Sequence, residues 1–134
     1  MELADLKRLA TAAREFDVTV GPTAAPRRIT LRTPTEYELT LAARRAGMHQ
    51  ATDDVAASLM LERTLLCDCV VAWSGVVIGD VLPTSDQAAQ PLCHEAGAVP
   101  LLLDEQPAWA QALWLALVER LAQRKELKDT AAKN

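Results

Sequence analysis

Four residues of this 134-residue chain are of the types that build a tetrahedral metal site: Cys67, Cys69, Cys93 and His94. Their spacing works against it. On a helix, side chains two positions apart point about 200° apart around the axis, and neighbours such as Cys93 and His94 seldom hold one ion together. Three cysteines, two of them inside the most apolar segment, read instead as buried reduced thiols, with His94 at the surface. His49 and Asp53 could be drawn as an acid–base pair, but they sit in a polar turn between helices, where a solvated imidazole is the expected occupant. The chain carries no Gly-rich phosphate loop, no Ser-centred elbow and no paired metal-ligand motif. A non-enzyme is therefore expected, with no catalytic residue, metal or cofactor.

The other candidates are groups for contact. Asp68 lies between two cysteines in an apolar run, where an unpaired carboxylate is costly to bury. It faces solvent, pairs with Arg44 or Arg45, or meets a partner. Trp73, Trp109 and Trp114 have helical spacings that suit a core, yet Trp109 and Trp114 are separated by about 140° around a helix, so one of them is a candidate exposed anchor.

The elements that position these groups follow from periodicity. Residues 52–77 read as one long core helix: Thr52 caps it, Asp53 and Asp54 place negative charge in its first turn, and Gly75 ends it. Val55, Leu59, Leu66, Cys69, Val70 and Trp73 line one side of it. Glu62, Arg63 and Asp68 interrupt any window of the roughly 20 apolar residues that a bilayer crossing needs. Earlier in the chain, Leu3, Leu6, Leu9 and Ala13 predict a short amphipathic helix over residues 2–15. Alternation in Phe16, Val18 and Val20, then in Ile29 and Leu31, predicts two strands joined as a hairpin. Periodicity leaves open whether that hairpin pairs within one chain or between chains, and its edge is expected to be free.

Thr33, Pro34 and Glu36 form a capping-box pattern that starts the next helix, which Gly47 ends. From Val76 to Gln106 the pattern breaks into turns, with short helical pieces expected over residues 87–94 and 101–105. A closing helix begins at Pro107 and carries Trp109, Ala110, Leu113, Trp114, Leu117, Val118 and Leu121 on a broad apolar face. The expected class is α+β, mainly α: a small helical domain with an N-terminal β-hairpin. It is one domain over 1–134, with a short helix at 1–15, a hairpin at 16–32, a helical core at 33–121 and a polar, frayed tail at 122–134.

Half of the residues are hydrophobic and the formal net charge is -4. The charge is unevenly spread: residues 51–119 hold ten acidic side chains against Arg63 alone, whereas Arg27, Arg28, Arg32, Arg44 and Arg45 cluster before them. Nucleic-acid affinity comes largely from cations that neutralise phosphates, so nucleic acid is not the expected partner. The first residues lack the apolar stretch of a secretory signal, and a cytoplasmic protein is expected.

The order of TLRTPTE, VVAWSGV and LLDEQP along residues 15–134 resembles the small tail assembly chaperones of long-tailed phages and prophages. That resemblance implies a non-catalytic protein that binds the long, helical tape measure protein, keeps it soluble in the host cytoplasm, and helps tail-tube subunits polymerise around it. It also implies many copies, hence a homo-oligomer, and a longer form of the chain made by ribosomal frameshifting, with which the ending Ala132-Lys133-Asn134 is compatible. The family supplies no catalytic positions. Tyr37, Asp68, Trp109 and Trp114 are the candidate partner contacts. The competing expectation is a helical regulatory adaptor or DNA-binding repressor that uses the arginine cluster, and a third is a small metal-dependent enzyme.

Overall fold

The structure, a computed structural model, describes residues 1–48 and 54–133. Its elements run α1 (Leu3–Arg14), β1 (Glu15–Val20), β2 (Arg27–Arg32), α2 (Glu36–Met48), α3 (Asp54–Cys69), β3 (Val70–Ser74), a 3-10 turn (Ile78–Asp80), α4 (Ala98–Glu105) and α5 (Pro107–Lys133). The class is α+β and mainly α. Thr52, His49 and Asp53 lie outside the described residues.

β1 and β2 pair within the chain as an antiparallel hairpin, with Phe16 opposite Leu31 and Val18 opposite Ile29. The side chains that alternation assigned to the buried face are the ones that reach the core: Phe16, Val20, Ile29 and Leu31 are buried, and Val18 packs beside them. Gly21 opens the connecting turn at φ 84°, a left-handed backbone that glycine adopts without a Cβ penalty.

The expected helix over residues 52–77 is cut in two. It stops at Cys69, and Val70–Ser74 becomes a third strand on the far side of β2, giving the sheet order β1-β2-β3. Leu31 faces Val70 and Ile29 faces Trp73, with a register irregularity between Thr30 and Leu31. The physical reason is an unpaired β2 edge next to a β-branched and aromatic run, Val70-Val71-Ala72-Trp73. Strand hydrogen bonds plus packing on Ile29 and Leu31 outweigh continuation of the helix. Gly75 then ends β3 rather than a helix. It has φ 84°, and a Cβ there would come within 3.0 Å of the Pro26 carbonyl oxygen.

The start of α2 is also displaced. TPTEYE contains two overlapping capping boxes, and the chain uses the second: Thr35 Oγ1 accepts from the Glu38 amide at 3.1 Å, and Glu38 Oε1 accepts from the Thr35 amide at 3.1 Å. Thr33 and Pro34 are buried lead-in residues, and the Thr33 amide donates to the Arg14 carbonyl at 2.9 Å. Arg32 decides between the two boxes, because its guanidinium grips both Glu38 carboxylate oxygens at 2.9 and 2.7 Å.

Helices cover one face of the sheet. Leu65, Leu66 and Cys69 of α3 meet Leu113 and Leu117 of α5, with Leu102 and Leu103 of α4 beside them. The two apolar helices do share one core, as expected, with the sheet as its floor. Residues 87–94 form turns rather than a helical piece, while the second expected piece is longer, Ala98–Glu105. Residues 122–133 are helical rather than frayed. Arg124 donates to the Pro34 carbonyl at 3.3 Å and Lys128 pairs with Glu36 at 2.5 Å, which ties that last stretch of α5 to the start of α2.

A partly buried ion pair locks the connector. Arg27 Nε and Nη2 donate to the two Asp80 carboxylate oxygens at 3.1 and 3.0 Å, and Asp80 Oδ2 also accepts from the Val77 amide at 2.9 Å. Gln106 donates to the Asp80 carbonyl at 2.8 Å, so the hairpin, the 3-10 turn and the start of α5 meet at one residue.

Candidate functional site

The residues with metal-like composition play structural parts. Cys69 is fully buried, and burial pushes its thiol up to about 11 against the opposing pull of Arg32. Burial also raises the half-buried Cys67. Thiols shifted that way stay protonated and are poor nucleophiles and poor metal ligands at neutral pH. Cys93 is exposed. His94 Nε2 donates to the Val70 carbonyl at 3.1 Å and its ring meets Trp73 edge-on at 4.8 Å, while Trp73 Nε1 donates to the Leu92 carbonyl at 2.7 Å. These two side chains close the outer edge of β3. Among the described residues, no group of three His, Cys, Asp or Glu side chains is placed to hold a metal ion.

The five arginines of the early cluster do not form one patch. Arg27 is taken up by Asp80 and Arg32 by Glu38, while Arg28 lies 4.0 Å from Asp17. Arg44 and Arg45 are exposed on α2.

The four candidate contact residues occupy separate places. Tyr37 is 76% exposed in the first turn of α2. Asp68 is exposed on α3. Trp109 and Trp114 are each half-buried against the core, so neither is a fully exposed anchor. The ring of Trp109 sits 3.3 Å from where a Cβ on Gly21 would lie, which keeps that turn close to α5.

What the structure brings together was not singled out in the sequence. α1 buries none of its residues, and Leu3, Leu6 and Leu9 are exposed. Between α1 and the last turns of α5 runs an open groove of about 510 Å³, lined by Ala10, Ala13, Arg14, Arg120, Arg124 and Leu127 among others. The Arg14 Nε, shut off from solvent, has no hydrogen-bond acceptor. A second groove of about 490 Å³ lies at the other end of α5, between Pro107, Ala110 and Gln111 and the α3 residues Leu59, Glu62 and Leu66. Val55 and Leu59, at 64% and 60% exposed, project beside it. The apolar stripes on α1 and α3 were legible; how much of each the fold leaves exposed was not.

No protein-family model, curated protein or solved structure matches this chain. Among the described residues, no helix is long and apolar enough to cross a membrane.

Proposed function

We propose that the protein is a non-catalytic assembly factor, a phage tail assembly chaperone that binds the tape measure protein and assists tail-tube assembly. The observation that carries this reading is the amount of apolar helix surface exposed to solvent: Leu3, Leu6 and Leu9 on α1, Leu59 on α3, and Leu115 on α5 are each about half exposed or more. Exposed apolar helix surface marks sites of protein association, and amphipathic helices are recognised by laying an apolar face into a groove. The order of sequence pieces that resembles the tail assembly chaperones supports the same reading. So does the engagement of the arginine cluster, since three of its five guanidinium groups lie within ion-pair distance of carboxylates of the chain.

Tyr37, Asp68, Trp109 and Trp114 remain the proposed client contacts, and the tail-tube subunits and a frameshifted longer form of the chain the proposed further partners. Co-expression with a candidate tape measure protein tests the proposal. The expected result is a soluble, co-purifying complex whose formation is insensitive to added DNA. A client that stays insoluble and unbound at every stoichiometry, or a protein that instead binds DNA with a steep salt dependence, overturns it.

A further inference from the structure

We infer that the groove between α1 and α5 is a docking site for a carboxylate-bearing amphipathic helix of a partner protein, with Arg14, Arg120 and Arg124 receiving the carboxylates and Ala10, Ala13 and Leu127 the apolar side chains between them. The site rests on the reading of the protein as a helix-binding assembly factor, and gives that reading a surface and a chemistry.

The way the chain treats its own arginines points to the missing group. Four of the described arginines are partly buried. Arg27 is met by Asp80 at 3.0 Å and Arg32 by Glu38 at 2.7 Å, because a guanidinium drawn out of water needs a charged acceptor in return. The other two, Arg14 and Arg124, both line this groove, and among the described residues no carboxylate lies within ion-pair distance of either. The Arg14 Nε is shut off from solvent and has no acceptor at all. Arg120 stands on the same rim, and three cations gathered without an anion select for one from outside. The acids near by are engaged or belong elsewhere: Glu36 pairs with Lys128 and Asp17 with Arg28, and Glu119 lines the separate groove beside β1.

Two of the guanidinium groups are also held in place. Arg120 stacks over the Phe16 ring at 4.8 Å from its centroid, and Arg124 donates one N–H to the Pro34 carbonyl at 3.3 Å. Each keeps N–H donors to spare. A rim fixed beforehand loses less side-chain freedom on binding.

A helix matches the rest of the groove better than a small anion or a nucleic acid does. The α5 wall is the stripe Arg120, Gln123, Arg124 and Leu127, which spans about 10 Å, or two helical turns. Alanines keep the α1 wall low, and Leu6 and Leu9, at 53% and 49% exposed, stand one turn before Ala10 and Ala13 on the same side. A phosphate backbone has no use for that apolar surface. A helix with two carboxylates one turn apart, opposite Arg120 and Arg124, and leucine-like side chains between them uses all of it. Docked there, it gives α1, which buries no side chain, the packing that a 12-residue helix needs in water.

Fluorescence anisotropy with the full chain tests this. The probe is a labelled amphipathic peptide about five turns long, with a leucine stripe flanked by glutamates one turn apart, beside counterparts carrying glutamine or lysine at those places. The glutamate peptide is expected to bind about tenfold tighter than the glutamine one and to weaken with salt, and the lysine peptide not to bind. Arg120→Gln, at an exposed position, is expected to lose about tenfold in affinity. Arg120→Glu is expected to prefer the lysine peptide, a reversal that damage to the fold does not produce. Glutamate and glutamine peptides that bind alike, an Arg120→Gln protein that binds like the wild type, or duplex DNA or a second copy of the chain held in the groove in place of the peptide overturns the site. The two readings fail separately: a tape measure protein that co-purifies equally with wild type and Arg120→Glu overturns the site alone, whereas one that binds neither, beside a glutamate peptide that does bind, overturns the chaperone reading alone.

Discussion

At the residue scale, the carboxylates that matter most are already spoken for inside the chain. Glu38 closes a capping box on Thr35 and takes a two-pronged grip from Arg32, and that grip, together with the Thr35 bonds, holds its carboxyl at about 2 instead of the ordinary 4.5. A carboxyl with a depressed folded-state pKa binds fewer protons folded than unfolded between those two values. Its stabilisation is therefore complete above about pH 4.5 and is lost as the pH falls toward 2. Glu38→Gln is expected to destabilise the protein by about 1 to 2 kcal/mol at neutral pH. Urea denaturation from pH 6 to pH 2.5 checks it: the gap between wild type and variant should narrow steadily as the pH drops, and a constant gap would show that the carboxylate charge contributes nothing. The residue types here were readable, since TPTEYE advertises a capping box. Which of its two boxes is used was not, because the choice rests on Arg32 arriving from β2.

At the element scale, the largest departure from sequence expectation is β3. The apolar run through Cys69 and Val70 has no Gly or Pro to mark a change, so helical periodicity runs straight across it. The change from helix to strand is imposed from outside, by the open edge of β2 and the burial available on Ile29 and Leu31. The cue present locally was the pair of β-branched valines followed by Trp73 and closed by Ser74-Gly75. By contrast, the hairpin, α2 and α5 were legible because their punctuation and alternation are local. Gly75 is where β3 can be tested. Its left-handed φ of 84° and the 3.0 Å approach of the Pro26 carbonyl leave no place for a side chain. Gly75→Ala is expected to cost about 1 to 2 kcal/mol, read from the shift in thermal or urea midpoint. A helix running through to residue 77 would instead tolerate or welcome the alanine, since Ala outranks Gly inside helices.

At the scale of the whole molecule, the chain builds a closed core on one face of a three-stranded sheet and then leaves helices standing outside it. Leu113, Leu117, Ile29 and Leu31 satisfy the core, whereas α1 contributes nothing buried to it and the first turns of α3 keep Val55 and Leu59 in solvent. Exposed apolar surface of this kind is where the proposed association would take place. The candidate site was therefore half legible: the stripes could be seen in the sequence, but how far each stays exposed is a property of the assembled fold. The central claim is that those stripes are the working part of the molecule. Amide hydrogen exchange of the protein alone and in the proposed complex with a tape measure protein tests it most directly. The account predicts fast exchange over residues 3–14 and the first turns of α3 in the free protein, with strong new protection there and along the exposed side of α5 in the complex. Unchanged exchange in those segments, with new protection confined to the connector between β3 and α4, would contradict it.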